Sequence, residues 1–236
     1  MLEWFLAPID LTRSHEVDGA VAWHGRLMVL AWGVMVPIAI IWARFFKIAP
    51  RQQWPEELDN KVWWRSHYIT QTLAALVMAY SIYLVWSPAG SSDLAWLHRF
   101  IGWTLMAFCA TQIIAGATRG SKGGPTDPKG RMFGDHFDMT PRRLMFEYLH
   151  KTLGYTSVVL AWFTIYLGMW IANGPRWMFI AMTIWFMLVG VVFIVLQKRG
   201  MVLDTYQAIW GPDPNLPGNR RRPIGPGIRR YNEYRR

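Results

Sequence analysis

The sequence predicts an all-α integral membrane protein with five transmembrane helices. Hydrophobic residues make up 53% of its 236 residues, whereas charged residues make up only 17%. Five apolar runs are each long enough to cross about 30 Å of hydrocarbon as a helix. Four of them should form an up-down helical bundle, with the fifth as a peripheral helix. We call them runs A to E, and they cover residues 21–43, 68–86, 100–118, 153–172 and 177–196.

Run A begins with a histidine just inside the membrane, in the motif His24-Gly25-Arg26. Acidic residues precede it instead of a basic n-region, so we expect run A to remain in the mature protein. An ionisable side chain within a membrane is costly unless it faces the bundle interior and has a partner. His24 is therefore interpreted as a functional residue whose partner lies on another run.

Runs B, C and D also begin near a histidine, namely His67, His98 and His150. Because successive spans run in opposite directions, the starts of A and C lie near one surface and those of B and D near the other. In an up-down bundle, A lies opposite C and B lies opposite D. We therefore predict that His24 faces His98 across the bundle core. By the same reasoning, His67 faces His150.

Two imidazoles at one level suit a cofactor with two axial positions. A haem iron takes two neutral imidazoles, whereas a tetrahedral metal needs three or four ligands. Gly25, Gly102 and Gly154 lie near three of the histidines and leave room for a flat macrocycle. Cys109 is the single cysteine, which excludes haem attachment through a Cys-x-x-Cys-His motif. We expect two non-covalent haem groups, separated by about 20 Å along the membrane normal.

Four basic residues flank the histidines at levels where haem propionates would lie. One interpretation is charge-assisted pairing with the propionates, and the other is snorkelling to lipid headgroups. Pairing is favoured most where the basic residue directly follows its histidine in the chain, as Arg99 and Lys151 do. The four residues are Arg26, Arg65, Arg99 and Lys151.

Basic residues are concentrated in the loops between A and B and between C and D, and in the tail. These segments hold 21 of the 25 Lys and Arg residues. Cytoplasmic loops carry such an excess, so the N-terminus should lie outside and the C-terminus inside, with a bacterial inner membrane as the expected location. The net charge of +10 is then explained by this topology and by attraction to anionic lipid, and it gives no reason to expect a nucleic-acid partner.

Three segments follow along the chain. Residues 1–20 form an outer N-terminal segment, residues 21–198 form the transmembrane domain, and residues 199–236 form an inner tail rich in Pro, Gly and Arg. The inner loop 120–147 and the tail are polar and rich in helix breakers, so we expect both to be irregular and without a packed core. The tail should bind anionic headgroups or an acidic partner without affecting the haems. Run E lacks histidine and should pack outside the haem bundle or meet a partner subunit.

The residues around the four histidines form a set of short motifs. The motifs are His24-Gly25-Arg26-Leu27-Met28, Trp64-Arg65-Ser66-His67, His98-Arg99-Phe100-Ile101-Gly102 and His150-Lys151-Thr152-Leu153-Gly154. As a set they resemble the cytochrome b561 family, in particular the version attached to DOMON domains and its free-standing bacterial relatives. The resemblance covers runs A to E. It implies a transmembrane electron carrier with two b-type haems ligated by the four histidines.

The leading hypothesis is electron transfer across the membrane from a reduced donor, such as a quinol, an ascorbate-like molecule or a partner redox protein. The resemblance also leaves open a transmembrane oxidoreductase of the b561 type. An alternative is a haem-containing accessory subunit that docks to a larger respiratory or photosynthetic complex. The expected protein partners are subunits of such a complex or a second copy of the chain, as a homodimer. A histidine-lined metal transporter is a third possibility. His136, between Asp135 and Asp138, is interpreted as part of a hydrogen-bonded turn, with a metal ligand as the alternative.

Overall fold

The computed structural model describes residues 1–86 and 92–231, so part of the loop between runs B and C and the last five residues of the tail lie outside it. The regular structure of the described residues is helical. A π-helical turn, Val29–Met35, joins the second and third α-helices, and a 3-10 helix, Pro217–Arg220, follows the eighth. In chain order the α-helices are α1 (Leu2–Leu6), α2 (Gly19–Met28), α3 (Val36–Phe45), α4 (Val62–Leu84), α5 (Asp93–Ala117), α6 (Pro141–Ile171), α7 (Arg176–Lys198) and α8 (Thr205–Trp210).

Four helical stretches of the described chain are long and apolar enough to cross a membrane. They correspond to runs A, C, D and E. Helix α4, which contains run B, is also long, with 23 residues, but it is less apolar because His67 and Gln71 interrupt it. A fifth span through α4 therefore stays a prediction. The four stretches are Gly19–Phe45, Asp93–Ala117, Pro141–Ile171 and Arg176–Lys198.

The π-helical turn lies within the first span, Gly19–Phe45, and a hydrogen bond joins it to α7. Pro37 has no N–H to donate to the carbonyl oxygen of Gly33 four residues earlier. The indole nitrogen of Trp185 on α7 donates to that carbonyl instead, at 2.7 Å. Phe186, the next residue of α7, stacks on Trp162 of α6 with ring centroids 4.2 Å apart. Helix α7, which contains run E, thus packs against the π-helical turn of the first span and against α6.

The chain divides into two compact units, each built from three stretches of sequence. The first unit contains His24 and His98, and the second contains His67 and His150, so each predicted pair falls within one unit. The first unit consists of Met1–Ile38, Ile69–Cys109 and Thr156–Val192. The second unit consists of Ala39–Tyr68, Ala110–Tyr155 and Phe193–Arg236.

In the first unit, Asn173 anchors the N-terminal segment to the turn between α6 and α7. Its side chain is buried, and its amide nitrogen donates to the carbonyl oxygens of Asp10, Arg13 and Ser14. Its side-chain oxygen accepts the N–H of Asp10 at 3.0 Å. Asn173 has a φ of 47°, in the left-handed region that asparagine tolerates better than most residues. One side chain therefore holds three backbone carbonyls of the N-terminal segment.

In the second unit, the loop 120–147 and the tail pack on each other, so the expectation that they lack a packed core is wrong. The hydroxyl of Tyr206 donates to the carbonyl of Phe137 at 2.7 Å, which joins the two segments. Burial raises the pKa of Tyr206 to about 12. Each segment alone has too few apolar residues for a recognisable pattern, and the core exists only where they meet. Its buried residues are Phe137, Met139, Tyr206, Ile209, Trp210 and Ile224.

Candidate cofactor sites at two histidine pairs

The structure brings the four histidines together in the two predicted pairs. The ring centroids of His24 and His98 lie 6.2 Å apart, with an angle of 72° between the ring planes. Those of His67 and His150 lie 6.1 Å apart, with an angle of 79°. Each pair joins α-helices from separate runs, α2 with α5 and α4 with α6. The two units therefore contain almost the same imidazole geometry.

This spacing fits one metal ion between each pair of rings. A metal–nitrogen bond is about 2 Å long, and the ring centre lies about 1 Å beyond the nitrogen. Two imidazoles on opposite sides of one iron therefore have ring centres about 6 Å apart, as both pairs do. Among residues 1–86 and 92–231, no three His, Cys, Asp or Glu side chains come together in a way that could hold a metal ion. The donor set at each site is thus a pair, which is the number that a haem iron takes axially.

One histidine of each pair has its ring orientation fixed by a carbonyl oxygen. Nδ1 of His24 lies 3.0 Å from the carbonyl oxygen of Ser81, and Nδ1 of His67 lies 3.0 Å from that of Ala39. A carbonyl can only accept, so Nδ1 must carry the proton. The lone pair of Nε2 is then available to a metal, which is the usual arrangement of a metal-bound histidine.

The other histidine of each pair has a buried nitrogen without a hydrogen-bond partner among the described residues. This nitrogen is Nδ1 in both His98 and His150, although the backbone of Thr164 also interacts with the His98 ring. A buried polar atom that stays unpaired costs about 1–3 kcal/mol. Unlike His24 and His67, these two histidines therefore lack a strong hydrogen bond that fixes which ring nitrogen is free for a metal.

Small residues border both rings of the first pair. A Cβ added to Gly25 or Gly102 would meet no atom within 4 Å, so the space beside both glycines is open, and Gly25 is itself exposed. A Cβ added to Gly168 would lie 3.0 Å from Cε1 of His98. Gly168 therefore makes room for the imidazole itself. Sequence reasoning missed it, although a glycine inside a helix lowers stability and often marks a close approach.

The arginines that flank the histidines are exposed. Arg65 and Arg99 point away from the packed interior of their units, and Arg26 lies over the ring of Trp23 at 5.1 Å. Exposure leaves these guanidinium groups able to reach either a propionate or a lipid headgroup. Both interpretations of the three arginines therefore stay open.

Lys151, in contrast, already has two partners. Its ammonium group donates to the carboxylate of Glu147 at 2.7 Å and to the carbonyl of Ile224 at 2.8 Å. Glu147 also accepts from the guanidinium of Arg143 at 2.9 Å. The spacing of four residues puts Arg143, Glu147 and Lys151 on one face of α6. These partners reduce the case for Lys151 as a propionate ligand, and Arg99 is the better candidate of the two.

Two buried cations lie beneath the tail in the second unit. The guanidinium of Arg44 donates to the hydroxyl of Tyr155 at 2.8 Å and to the carbonyl of Pro226 at 2.6 Å. The ammonium group of Lys47 donates to the carbonyls of Arg44 and Leu203, each at 3.0 Å. Burial lowers the pKa of Lys47 to about 7. The tail thus supplies part of the hydrogen bonding that lets a buried positive charge persist.

His136 belongs to the small core of the second unit. Its ring lies 5.7 Å from that of Trp210 and 6.1 Å from that of Tyr206. Burial and the nearby Arg143 lower its pKa to about 3. The neighbouring Asp135 carboxylate accepts hydrogen bonds from Ser121 and Thr140, as the turn interpretation requires.

Comparison with known proteins finds several similar chains. Over 62% of its length the chain is 22% identical to a "Cytochrome b561, DM13 and DOMON domain-containing protein" of Arabidopsis thaliana and 26% identical to "Ferric-chelate reductase 1" of Bos taurus. Over 65% of its length it is 26% identical to a "Cytochrome b561 and DOMON domain-containing protein" of Arabidopsis thaliana. These matches cover 14%, 22% and 29% of the relatives' own lengths.

No family model and no solved structure matches the chain. Of these similar proteins, two bear the name cytochrome b561 and the bovine one bears the name ferric-chelate reductase. The matches cover about two thirds of the chain, in proteins that are much longer. The comparison confirms the resemblance to the cytochrome b561 family that the residues around the four histidines indicated.

Proposed function

We propose that this chain carries electrons across a membrane through two haem b groups. One haem is held between His24 and His98, and the other between His67 and His150. The observation that carries the proposal is the ring spacing of 6.2 and 6.1 Å, which suits one iron in each pair. The similarity to cytochrome b561 proteins supports haem over another metal.

In this proposal α4 is the fifth span, and four helices surround the haems while α7 lies at the periphery. The two histidines of each pair stand at the starts of alternate spans, so one pair belongs near each membrane surface. The second unit, which holds 21 of the 25 basic residues, faces the cytoplasm. A tag at the C-terminus should therefore be protected from external labelling in intact cells, and labelling would contradict this orientation.

A bound haem supplies a one-electron couple of iron(III) and iron(II). The residues of the chain hold and orient it, because the Nδ1 protons of His24 and His67 are fixed on carbonyl oxygens and their Nε2 atoms are left for the metal. If both histidines of a pair held one haem, that group would supply electron transfer and not a binding place for a substrate. The residues of the chain would then hold and orient the haems, and they would do little bond chemistry themselves.

The donor that we propose is a quinol, an ascorbate-like molecule or a partner redox protein. The name of the bovine relative, "Ferric-chelate reductase 1", makes a ferric chelate one candidate acceptor. A haem-containing accessory subunit is the second candidate function, and the exposed Arg220, Arg221 and Arg222 favour it as a docking surface. Reduction of an added acceptor by the purified chain alone supports the carrier, whereas obligate co-purification with other subunits supports the accessory role.

The test is a reduced-minus-oxidised spectrum and a haem titration of the purified full chain. We expect about two haems b per chain, both low-spin because each has two imidazole ligands. His15→Ala is the matched control, since His15 is exposed in the N-terminal segment. A preparation that is folded and monodisperse but binds no haem, or only one, would contradict the proposal.

A further inference from the structure

We propose that Ser81 is a positioning residue for His24 and that it lowers the reduction potential of the haem in the first unit. The inference rests on the proposed function. Ser81 lies in α4 and its side chain is completely buried, with 0% exposure. Its hydroxyl oxygen lies 3.0 Å from Nδ1 of His24 and 3.1 Å from the carbonyl oxygen of His24. One serine therefore contacts both the ring and the backbone of a ligand.

The direction of these hydrogen bonds can be assigned from their chemistry. The carbonyl of His24 is only an acceptor, so the hydroxyl proton of Ser81 goes to it. The hydroxyl oxygen then has lone pairs directed at Nδ1–H of His24. The backbone carbonyl of Ser81 accepts the same proton at 3.0 Å. His24 thus donates one N–H to two oxygens of one residue.

The end of α4 explains why the Ser81 carbonyl is available. Helix α4 ends at Leu84, and the last four carbonyls of a helix have no amide partner within it. The N–H of Val85, which would pair with Ser81 in a longer helix, donates to the carbonyl of Ile82 instead. The Ser81 carbonyl can therefore give its full accepting capacity to His24.

The second unit lacks this arrangement. Nδ1 of His67 donates to the carbonyl of Ala39, and an alanine has no hydroxyl to add. Ala39 lies inside α3, where a carbonyl is also the acceptor for the amide four residues later. The carbonyl that accepts from His67 therefore also accepts an amide of its own helix, and Ala39 offers no second acceptor. His24, in contrast, donates to two oxygens of Ser81, and the Ser81 carbonyl has no amide partner within α4.

A histidine that donates more strongly through Nδ1 becomes a more basic metal ligand at Nε2. A more basic ligand stabilises iron(III) relative to iron(II), so it lowers the reduction potential. The first-unit haem should consequently be reduced at a more negative potential than the second-unit haem. Ser81 and Ala39 contribute to this difference between two pairs with the same ring geometry.

The experiment is a potentiometric titration of purified full-length Ser81→Ala with both haems bound. The variant keeps the backbone carbonyl but loses the hydroxyl, so we expect a roughly threefold to tenfold shift of one reduction equilibrium, about 30–60 mV to more positive potential. The other haem should not shift. Ser81→Thr keeps a hydroxyl and should restore the original potential.

Two controls separate tuning from a general structural effect. Ser157→Ala removes another buried hydroxyl of the first unit and should leave both potentials unchanged. Ala39→Ser adds a hydroxyl beside His67 and should move the other haem to more negative potential. Loss of the first-unit haem in Ser81→Ala, with retention in Ser81→Thr, would also support the positioning role.

Unchanged potentials in a Ser81→Ala protein that retains two haems would overturn the inference while leaving the proposed function intact. Equal shifts of both haems would overturn it as well, since Ser81 contacts only His24 of the four ligands. A wild-type protein without haem would instead overturn the proposed function, and this inference with it. The haem titration therefore distinguishes the two failures.

Discussion

The first unit carries 4 of the 25 basic and 5 of the 15 acidic residues, for a formal charge of −1, whereas the second carries the remainder, for +11. Among the described residues, Arg13 and Asp10 form the ion pair of the first unit, and the other ion pairs lie in the second. The two histidine pairs are nevertheless alike in spacing. Helix packing thus sets the spacing of both histidine pairs, and differences between the two sites must come from their surroundings.

Loss of a ligand should have the largest effect on this comparison. In the arrangement that we propose, His24→Ala or His98→Ala removes one of the two imidazoles that hold the first-unit haem, and packing cannot replace it. Each variant should fall from about two haems per chain to about one, or convert that haem to high spin, and the double variant should be little worse. His67→Ala and His150→Ala should behave in the same way for the second unit.

Haem titration and spectra of the single and double variants measure this non-additivity. Combining His24→Ala with His67→Ala should abolish both signals. If His24→Ala and His98→Ala depleted spectroscopically different haems, the pairing would be wrong. The alternating topology behind it would then be wrong as well.

Removal of the tail should affect only the second unit. Truncation after Pro217 takes the carbonyl of Pro226 from Arg44 and that of Ile224 from Lys151, and it removes the ion pair of Arg230 with Asp204. Arg44 keeps Tyr155 and Lys151 keeps Glu147, but each lost hydrogen bond of a charged group costs about 1–3 kcal/mol. We therefore expect lower thermal stability and partial loss of the second-unit haem. The sequence alone predicted no effect on the haems.

A shorter truncation that removes only residues 232–236 is the control for the tail. It leaves every contact described here in place and should retain both haems. Thermal unfolding followed by haem absorbance checks both variants. If truncation after Pro217 retained full stability and both haems, the tail contacts would be unimportant for the second site.

Gly168→Ala should perturb the first unit alone. The added Cβ would lie 3.0 Å from Cε1 of His98, so the ring or α6 must shift. Such overpacking costs about 1–3 kcal/mol. The spectrum of the first-unit haem should change, while that of the second should not. Gly190→Ala is the control, because a Cβ there meets no atom within 4 Å.

The smallest expected effect is the response to acid. His136 is buried with a pKa of about 3, below the value of about 6.5 in an unfolded chain. The unfolded state therefore takes up a proton between pH 6.5 and 3 that the folded state refuses, and stability falls as the pH falls through that range. One group can contribute at most about 1.4 kcal/mol per pH unit.

His136→Phe should reduce this loss of stability. Phenylalanine can still pack against Tyr206 and Trp210, and it removes a buried Nε2 that has no partner among the described residues. Melting temperatures of both proteins at pH 7 and pH 4.5 provide the measurement. An equal drop in the two proteins would show that protonation of His136 does not contribute to the loss of stability in acid.

The histidine pairs could be predicted from the sequence because they follow from one rule, the alternation of direction in successive spans. The position of Ser81 could not, since it depends on where α4 ends and on which residue faces His24. Gly168 was missed for a similar reason: it acts through a neighbour 70 positions away. The small core of the second unit was predicted wrongly because Phe137 and Trp210 reinforce each other only after both segments have packed.

The hydrogen bond from Trp185 to Gly33 bears on any attempt to simplify this protein. A designer who kept only the four histidine-bearing helices would discard α7 and remove the indole N–H that the Gly33 carbonyl accepts, and Pro37 has no N–H to take its place. The penalty of about 1–3 kcal/mol would fall nine residues from His24. A four-helix version of this scaffold therefore needs a residue with an N–H in place of Pro37 before its ligands are altered.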